Sequence, residues 1–186
     1  PSGGGQAGLN CSELLIDAIE AGEKESAFGI CKAVGEALGR FHASASEVRA
    51  NPPDERRWNA RSQVLEKRTR SATVWRASHS DATQGTITHG NFGFQVVWFE
   101  GDEAYIEACV GGVYHALAPS SANFPAVRDV AAGYASLTSI CAKSNNSDAA
   151  SMLSELRRCF FDGWCGTAPK RWHSAQALDT NRGGVA

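Results

Sequence analysis

The stretch Thr88-His-Gly-Asn-Phe-Gly-Phe-Gln95 gathers an imidazole and two carboxamides within one short loop, and the carboxylate of Glu107 follows a little downstream. Imidazole and carboxylate together suit proton transfer or metal ligation. The carboxamides add no base. Asn91 is neutral at working pH and cannot take up a proton, so the centre of this loop has no group to activate a hydroxyl. Elsewhere the reactive side chains form no set. His42, His79, His115 and His173 are scattered, no serine lies in a GxSxG turn, and Gly111-Gly112 belongs to neither GxGxxG nor GxxxxGK. Cys11, Cys31, Cys109, Cys141, Cys159 and Cys165 include no CxxC pair and no short Cys/His spacing for zinc. They read as reduced, mostly buried thiols, with Cys159 and Cys165 the pair nearest to bridging if any bridge forms.

The elements that must hold the loop can be read from the flanking pattern. Thr86-Ile-Thr88 and Gln95-Val-Val-Trp-Phe99 are rich in β-branched and aromatic residues. Glu100-Gly101-Asp102 supplies turn chemistry, and Ala104-Tyr-Ile-Glu-Ala108 returns as a strand. One small hairpin is expected here, with helices on either side. Asn10 or Ser12 can cap a short helix carrying Leu14, Leu15, Ala18 and Ile19, ending near Gly22. From about Lys24 to Ala43, Phe28, Cys31, Val34, Leu38 and Phe41 recur at three- and four-residue steps, which marks one buried helical stripe. Asn51-Pro-Pro-Asp54 breaks the chain and starts a third helix with Trp58, Val64, Leu65 and Trp75 as buried candidates. After a loop containing Pro119 and Pro125, helices are expected over Val127 to Ile140 and Asp148 to Trp164. The fold class is α+β, mainly helical. Residues 1–10 read as a flexible or partner-held tail, 11–166 as one domain, and 167–186 as an extension in which Trp172 can anchor a partner.

At 186 residues, with 42% hydrophobic and 20% charged residues, the chain has the composition of one globular domain. A formal net charge of −2 gives no general attraction to nucleic acid or to anionic membrane. No run approaches the ~18 consecutive apolar residues that a membrane span needs, which leaves peripheral association open. One stretch departs from this neutrality. From Arg56 to Arg76 the chain sets Arg56, Arg57, Arg61, Lys67, Arg68, Arg70 and Arg76 against the single acid Glu66. That is either a solvated helix face or a docking surface for an acidic protein, RNA or lipid head groups. The chain starts at Pro1 with no signal-peptide pattern, and the expectation is an intracellular protein, in an organelle if a targeting peptide was removed.

In order along the chain, Leu38-Gly-Arg-Phe-His42, the loop at Thr88, the hairpin, Tyr105-Ile-Glu-Ala and Val127-Arg-Asp-Val-Ala-Ala-Gly resemble the C-terminal lobe of the aminoglycoside-phosphotransferase-like kinases. Within them the likeness is nearest to the maltokinase type and runs from about residue 24 to 166. The family loop is His-Gly-Asp-aromatic-His-Leu-Gly-Gln, its metal strand Ile-Asp-Phe-Glu, and its next helix opens Leu-Arg-Asp-Val-Ala-Gly. The resemblance implies a protein-kinase-like fold of the APH type. It puts Asn91 at the hydroxyl-orienting position and Gln95 and Glu107 at the magnesium positions. His89 and His42 take structural places, and Arg128-Asp129 pair with the loop backbone or cap their helix. This chain departs from that pattern at the chemistry. Asn91 replaces the aspartate, Glu107 carries one methylene more, the loop is one residue shorter and its second histidine is missing. The family's N-terminal lobe, with its nucleotide-clamping sheet, also has no room before the first matching helix.

The expectation is therefore a pseudokinase: His89, Asn91, Gln95 and Glu107 are vestigial positions, no cofactor is bound, and the chain is an accessory subunit among other proteins. Two alternatives stand beside it. One is an ATP- and magnesium-dependent phosphotransferase for a maltose-type sugar, with its N-lobe elsewhere. The other is a sugar-binding module without turnover.

Overall fold

The computed structural model describes residues 8–46, 85–107 and 122–170. The first helix, α1 (Cys11–Glu20), starts where a cap is available. The side-chain oxygen of Asn10 accepts the Ser12 N–H at 3.0 Å, which settles the choice between the two candidate caps. Leu15, Ala18 and Ile19 turn inward. Gly22, at φ +74°, reverses the chain in a conformation other residues resist, and α2 (Lys24–Ser46) follows at once.

Helix α2 buries Cys31, Val34, Leu38 and His42 completely, while Phe28 and Phe41 sit at the margin of the core. The stripe is thus rotated from the large aromatics toward small residues, and the reason is its partner, α4 (Ala149–Thr167). A Cβ at Gly35 would stand 2.0 Å from the Phe160 carbonyl oxygen, and one at Gly163 would stand 2.2 Å from that of Lys32. Glycine lets the two backbones touch. The remaining helix, α3 (Val127–Lys143), joins α4 through a loop tied to α1: Asn146 Nδ2 donates to the Ile19 carbonyl at 2.6 Å, and its Oδ1 accepts the Asp148 N–H at 2.8 Å.

The β structure is larger than one hairpin. β1 (Leu9–Asn10), β3 (Val97–Glu100) and β4 (Glu103–Ile106) form an antiparallel sheet in the order β1-β3-β4. The hairpin between β3 and β4 turns through Gly101 at φ +62°, with Glu100 opposite Glu103. Leu9 and Asn10, assigned to the tail, instead add its third strand, pairing with Phe99 and Trp98. A second ladder joins β2 (Gly85–Ile87) to β5 (Ala122–Pro125), inside the segment read as a loop. Its proline stands at the last residue of the strand, where a missing N–H breaks little of the ladder. Helices α3 and α4 each run three residues beyond their expected ends, and α4 passes the expected domain boundary at 166. The expected third helix, with Trp58, Val64, Leu65 and Trp75, lies outside the described residues, as do Arg56, Arg57, Arg61, Lys67, Arg68, Arg70 and Trp172.

Among the described residues no helix is long and apolar enough to cross a membrane. Cys11, Cys31, Cys141, Cys159 and Cys165 are free thiols, so the pair Cys159 and Cys165 is unbridged. Burial pushes the Cys11 thiol up to about 12 and that of Cys165 up to about 11, and burial raises Cys31 well above the ordinary range. Such thiols stay protonated in the folded chain at pH values where the unfolded chain has already lost its protons, above about 8.5. Folding then binds protons, and stability falls as pH rises. The urea midpoint is expected to be level from neutral pH to about 8.5 and to drop steadily above it, with a shallower drop in Cys11→Ala. A midpoint independent of pH up to 11 would contradict the burial of these groups.

Candidate functional site

The loop after β2 is held at its backbone. Asp129, in the first turn of α3 and 1% exposed, points its carboxylate at the loop. Its Oδ2 accepts the His89 N–H at 2.6 Å, and its Oδ1 accepts the Gly90 N–H at 3.2 Å. Two successive amides thus face one carboxylate, and the chain then turns through Gly90 at φ +80°, a conformation that glycine adopts without strain. Arg128 Nη2 lies 3.5 Å from the carbonyl oxygen of Gly90, which belongs to the next peptide group along the loop.

Behind Asp129 the polar chain continues into the core. His42 Nε2 stands 3.1 Å from Asp129 Oδ2, and Trp164 Nε1 stands 3.0 Å from His42 Nδ1. An indole N–H only donates, so His42 Nδ1 must be the acceptor and Nε2 carries the proton that it gives to Asp129. One tautomer satisfies both bonds. The line Trp164, His42, Asp129, loop amide thus runs from α4 through α2 and α3 to the loop, with His42 fully buried.

His89 itself turns inward. It is 4% exposed, stands edge-on to Phe41 and Phe92, and its Nε2 donates to the Glu107 carbonyl at 3.2 Å. Its Nδ1 has no partner among the described residues. Phe92 and Phe94 fix the rest of the loop against Phe160, with ring centroids 6.1 and 5.8 Å away, and Ser136 Oγ accepts the Phe94 N–H at 3.1 Å.

The residues at the chemical positions face solvent. Asn91, Gln95 and Glu107 are all exposed. The backbone brings two of them together: the Glu107 N–H donates to the Val96 carbonyl at 2.8 Å, next to Gln95. A carboxylate and an amide oxygen are hard donors of the kind that magnesium takes. Their side chains diverge, however. Gln95 Oε1 faces the Ser136 hydroxyl on α3 at 3.5 Å, while Glu107 Oε2 lies 3.4 Å from the Trp98 indole N–H on the outer face of the sheet. Among the described residues no group of three His, Cys, Asp or Glu could hold a metal ion. As placed, the donors do not fit a magnesium site.

Sequence reasoning named every residue of the loop and its Arg128-Asp129 support, but missed Trp164 and Ser136 as polar partners. The signal for Trp164 was present: α2 and α4 each carry one polar-tipped residue, His42 and Trp164, on an otherwise apolar buried stripe, and such residues satisfy each other across an interface.

No family model matches the sequence, and no curated protein matches it. Solved structures do. A glucosamine kinase in complex with glucosamine, ADP and inorganic phosphate superposes with a TM-score of 0.70 at 17% identity, over 94% of this chain and 51% of that one. Glucosamine kinase in two other crystal forms gives TM-scores of 0.69 and 0.68 at 16% and 17% identity, over 94% and 92% of this chain. This chain spans about half the length of those proteins, 49% to 51%. Identity this low speaks for the fold alone, and the fold is kinase-like. The neighbours found are glucosamine kinases, so the maltokinase type read from the sequence is not what these structures identify.

Proposed function

We propose that this chain is a kinase-like lobe that keeps the frame of its loop without phosphoryl transfer, and that it serves as a structural subunit of a larger protein assembly. One contrast carries the reading. The side chains that only position the loop, Asp129, His42 and Trp164, are buried and hydrogen-bonded to one another and to it. The position that would have to orient a hydroxyl holds the exposed amide of Asn91, which accepts no proton. A frame without a base can present a surface, bind or brace a neighbour, but has no group to assist a hydroxyl attack.

The test is the native mass of the protein isolated from its source, with identification of what co-purifies. A stable complex with other proteins is the expected result; a free monomer would overturn the subunit reading. A sugar phosphotransferase is the second reading. It is favoured by the closeness of Gln95 and Glu107 along the ladder and by the likeness to glucosamine kinases. It requires turnover that depends on Glu107, and Glu107→Ala would then abolish it.

A further inference from the structure

Helices α2 and α4 run in the same direction where they touch. A Cβ added at Gly35 would stand 2.0 Å from the Phe160 carbonyl oxygen, and one added a turn later, at Gly39, 2.8 Å from that of Trp164, also a turn later. Gly163 in its turn backs onto Lys32 and Glu36. Gly35 and Gly163 therefore mark one level of the crossing. One turn back from each stands a cysteine, Cys31 on α2 and Cys159 on α4, and residues a turn apart share a helix face. The two thiols thus face one interface at one level. A disulfide needs Cα atoms about 4.4–6.8 Å apart, closer than the usual 8–10 Å between helix axes allows at most positions, and glycine contact supplies that approach. Their exposure differs. Cys31 is completely buried, as is Cys11, and Cys141 is buried too, whereas Cys159 is half-buried at the margin of the core. Burial is the main influence on the Cys31 thiol, and among its neighbouring thiols Cys159 acts most strongly, ahead of Cys141 and Cys11.

We propose that Cys31 and Cys159 are a peroxide-responsive pair that closes a disulfide between α2 and α4. Cys159, the more accessible of the two, reacts first. Its thiolate sulfur attacks one oxygen of hydrogen peroxide, so that the S–O bond forms and the O–O bond breaks. The departing hydroxide takes up a proton as water and leaves Cys159 as the sulfenic acid. The Cys31 sulfur then attacks the Cys159 sulfur; the S–S bond forms, the S–O bond breaks, and the hydroxyl leaves as water with the proton of Cys31. Two thiols and one peroxide become one disulfide and two waters. Burial also raises the Cys159 thiol, so its thiolate is scarce at neutral pH and the first step is slow. The pair therefore answers sustained exposure to peroxide, not a brief pulse. Once closed, the bridge pins together the two helices that already share the Trp164–His42 hydrogen bond.

The test is to treat the full native chain with hydrogen peroxide at about pH 8, where thiolate is more abundant, then to block free thiols and map peptides without reduction. The expected product joins the Cys31 peptide to the Cys159 peptide within one molecule, in about tenfold excess over any other pair, because thiols held opposite each other react without a diffusive encounter. A thiol reductant should undo it. Peroxide should also raise the urea midpoint of the native chain, and should not raise that of Cys159→Ser, a variant that leaves the buried Cys31 in place. Mapping of the native chain reads the pairing even if a variant folds poorly. Cys159 joined to Cys165, Cys141, Cys11 or a second copy would overturn the proposal. So would Cys159 oxidised to sulfinic or sulfonic acid with Cys31 still a free thiol, or Cys159 left unmodified.

Discussion

Asp129→Ala is expected to lower the stability of the fold by about 3–5 kcal/mol. The carboxylate accepts from three N–H groups, those of His89, Gly90 and His42. Water has little access to two of them and to the carboxylate, since His42 is 0%, His89 4% and Asp129 itself 1% exposed, while Gly90 is half-buried. Alanine would leave these donors without an acceptor, and each unsatisfied buried donor costs about 1–3 kcal/mol. Asp129→Asn is the informative control. Asparagine keeps the shape but turns one acceptor oxygen into an N–H₂ donor facing another donor, so it should recover only a minor part of the loss. The urea midpoint measures the total, and amide hydrogen exchange at His89 and Gly90 localises it. Rapid exchange at these two amides with slow exchange retained in α1 would assign the effect to the loop. An Asp129→Asn variant as stable as the parent would show that the carboxylate is not the loop's anchor.

Gly35→Ala and Gly163→Ala are each expected to cost about 3 kcal/mol, although alanine is the better helix former. The contacts that glycine permits are backbone to backbone. An added methyl at Gly35 would lie 2.0 Å from the Phe160 carbonyl oxygen, and one at Gly163 would lie 2.2 Å from that of Lys32. Neither obstacle is a side chain that can rotate away, so α2 and α4 would have to separate. That separation would also stretch the Trp164–His42 hydrogen bond that joins the two helices. Gly29, on the same helix α2, has open space around an added Cβ. Gly29→Ala should therefore stabilise by about 0.5–1 kcal/mol. Opposite signs at Gly29 and Gly35 in thermal unfolding would identify helix contact, rather than helix propensity, as the reason for the buried glycines. Equal stabilisation at both would contradict the packing described.

These contrasts explain what could be read from the sequence. The helical stripe of α2, the cap at Asn10 and the hairpin turn at Gly101 rest on local chemistry, and local chemistry is written in neighbouring residues. Asp129 and its loop were legible through a resemblance, because they recur as ordered short motifs. The glycines of α2 and α4 were not, since a glycine within a helix looks like a weakness until its partner backbone is known. Strands β2 and β5 were missed as a pair because two short ladders far apart in sequence carry no alternation long enough to read. The divergence of Gln95 and Glu107 was hidden for the same reason: it depends on Ser136 and Trp98, which are partners in space and not in sequence.

The central claim is that the frame persists while the chemistry has gone. Its most direct test is phosphoryl transfer from magnesium-ATP to glucosamine and to maltose by the protein isolated from its source. The account predicts no sugar phosphate above the rate without protein. Sugar phosphate formed catalytically, and lost in Glu107→Ala, would contradict it.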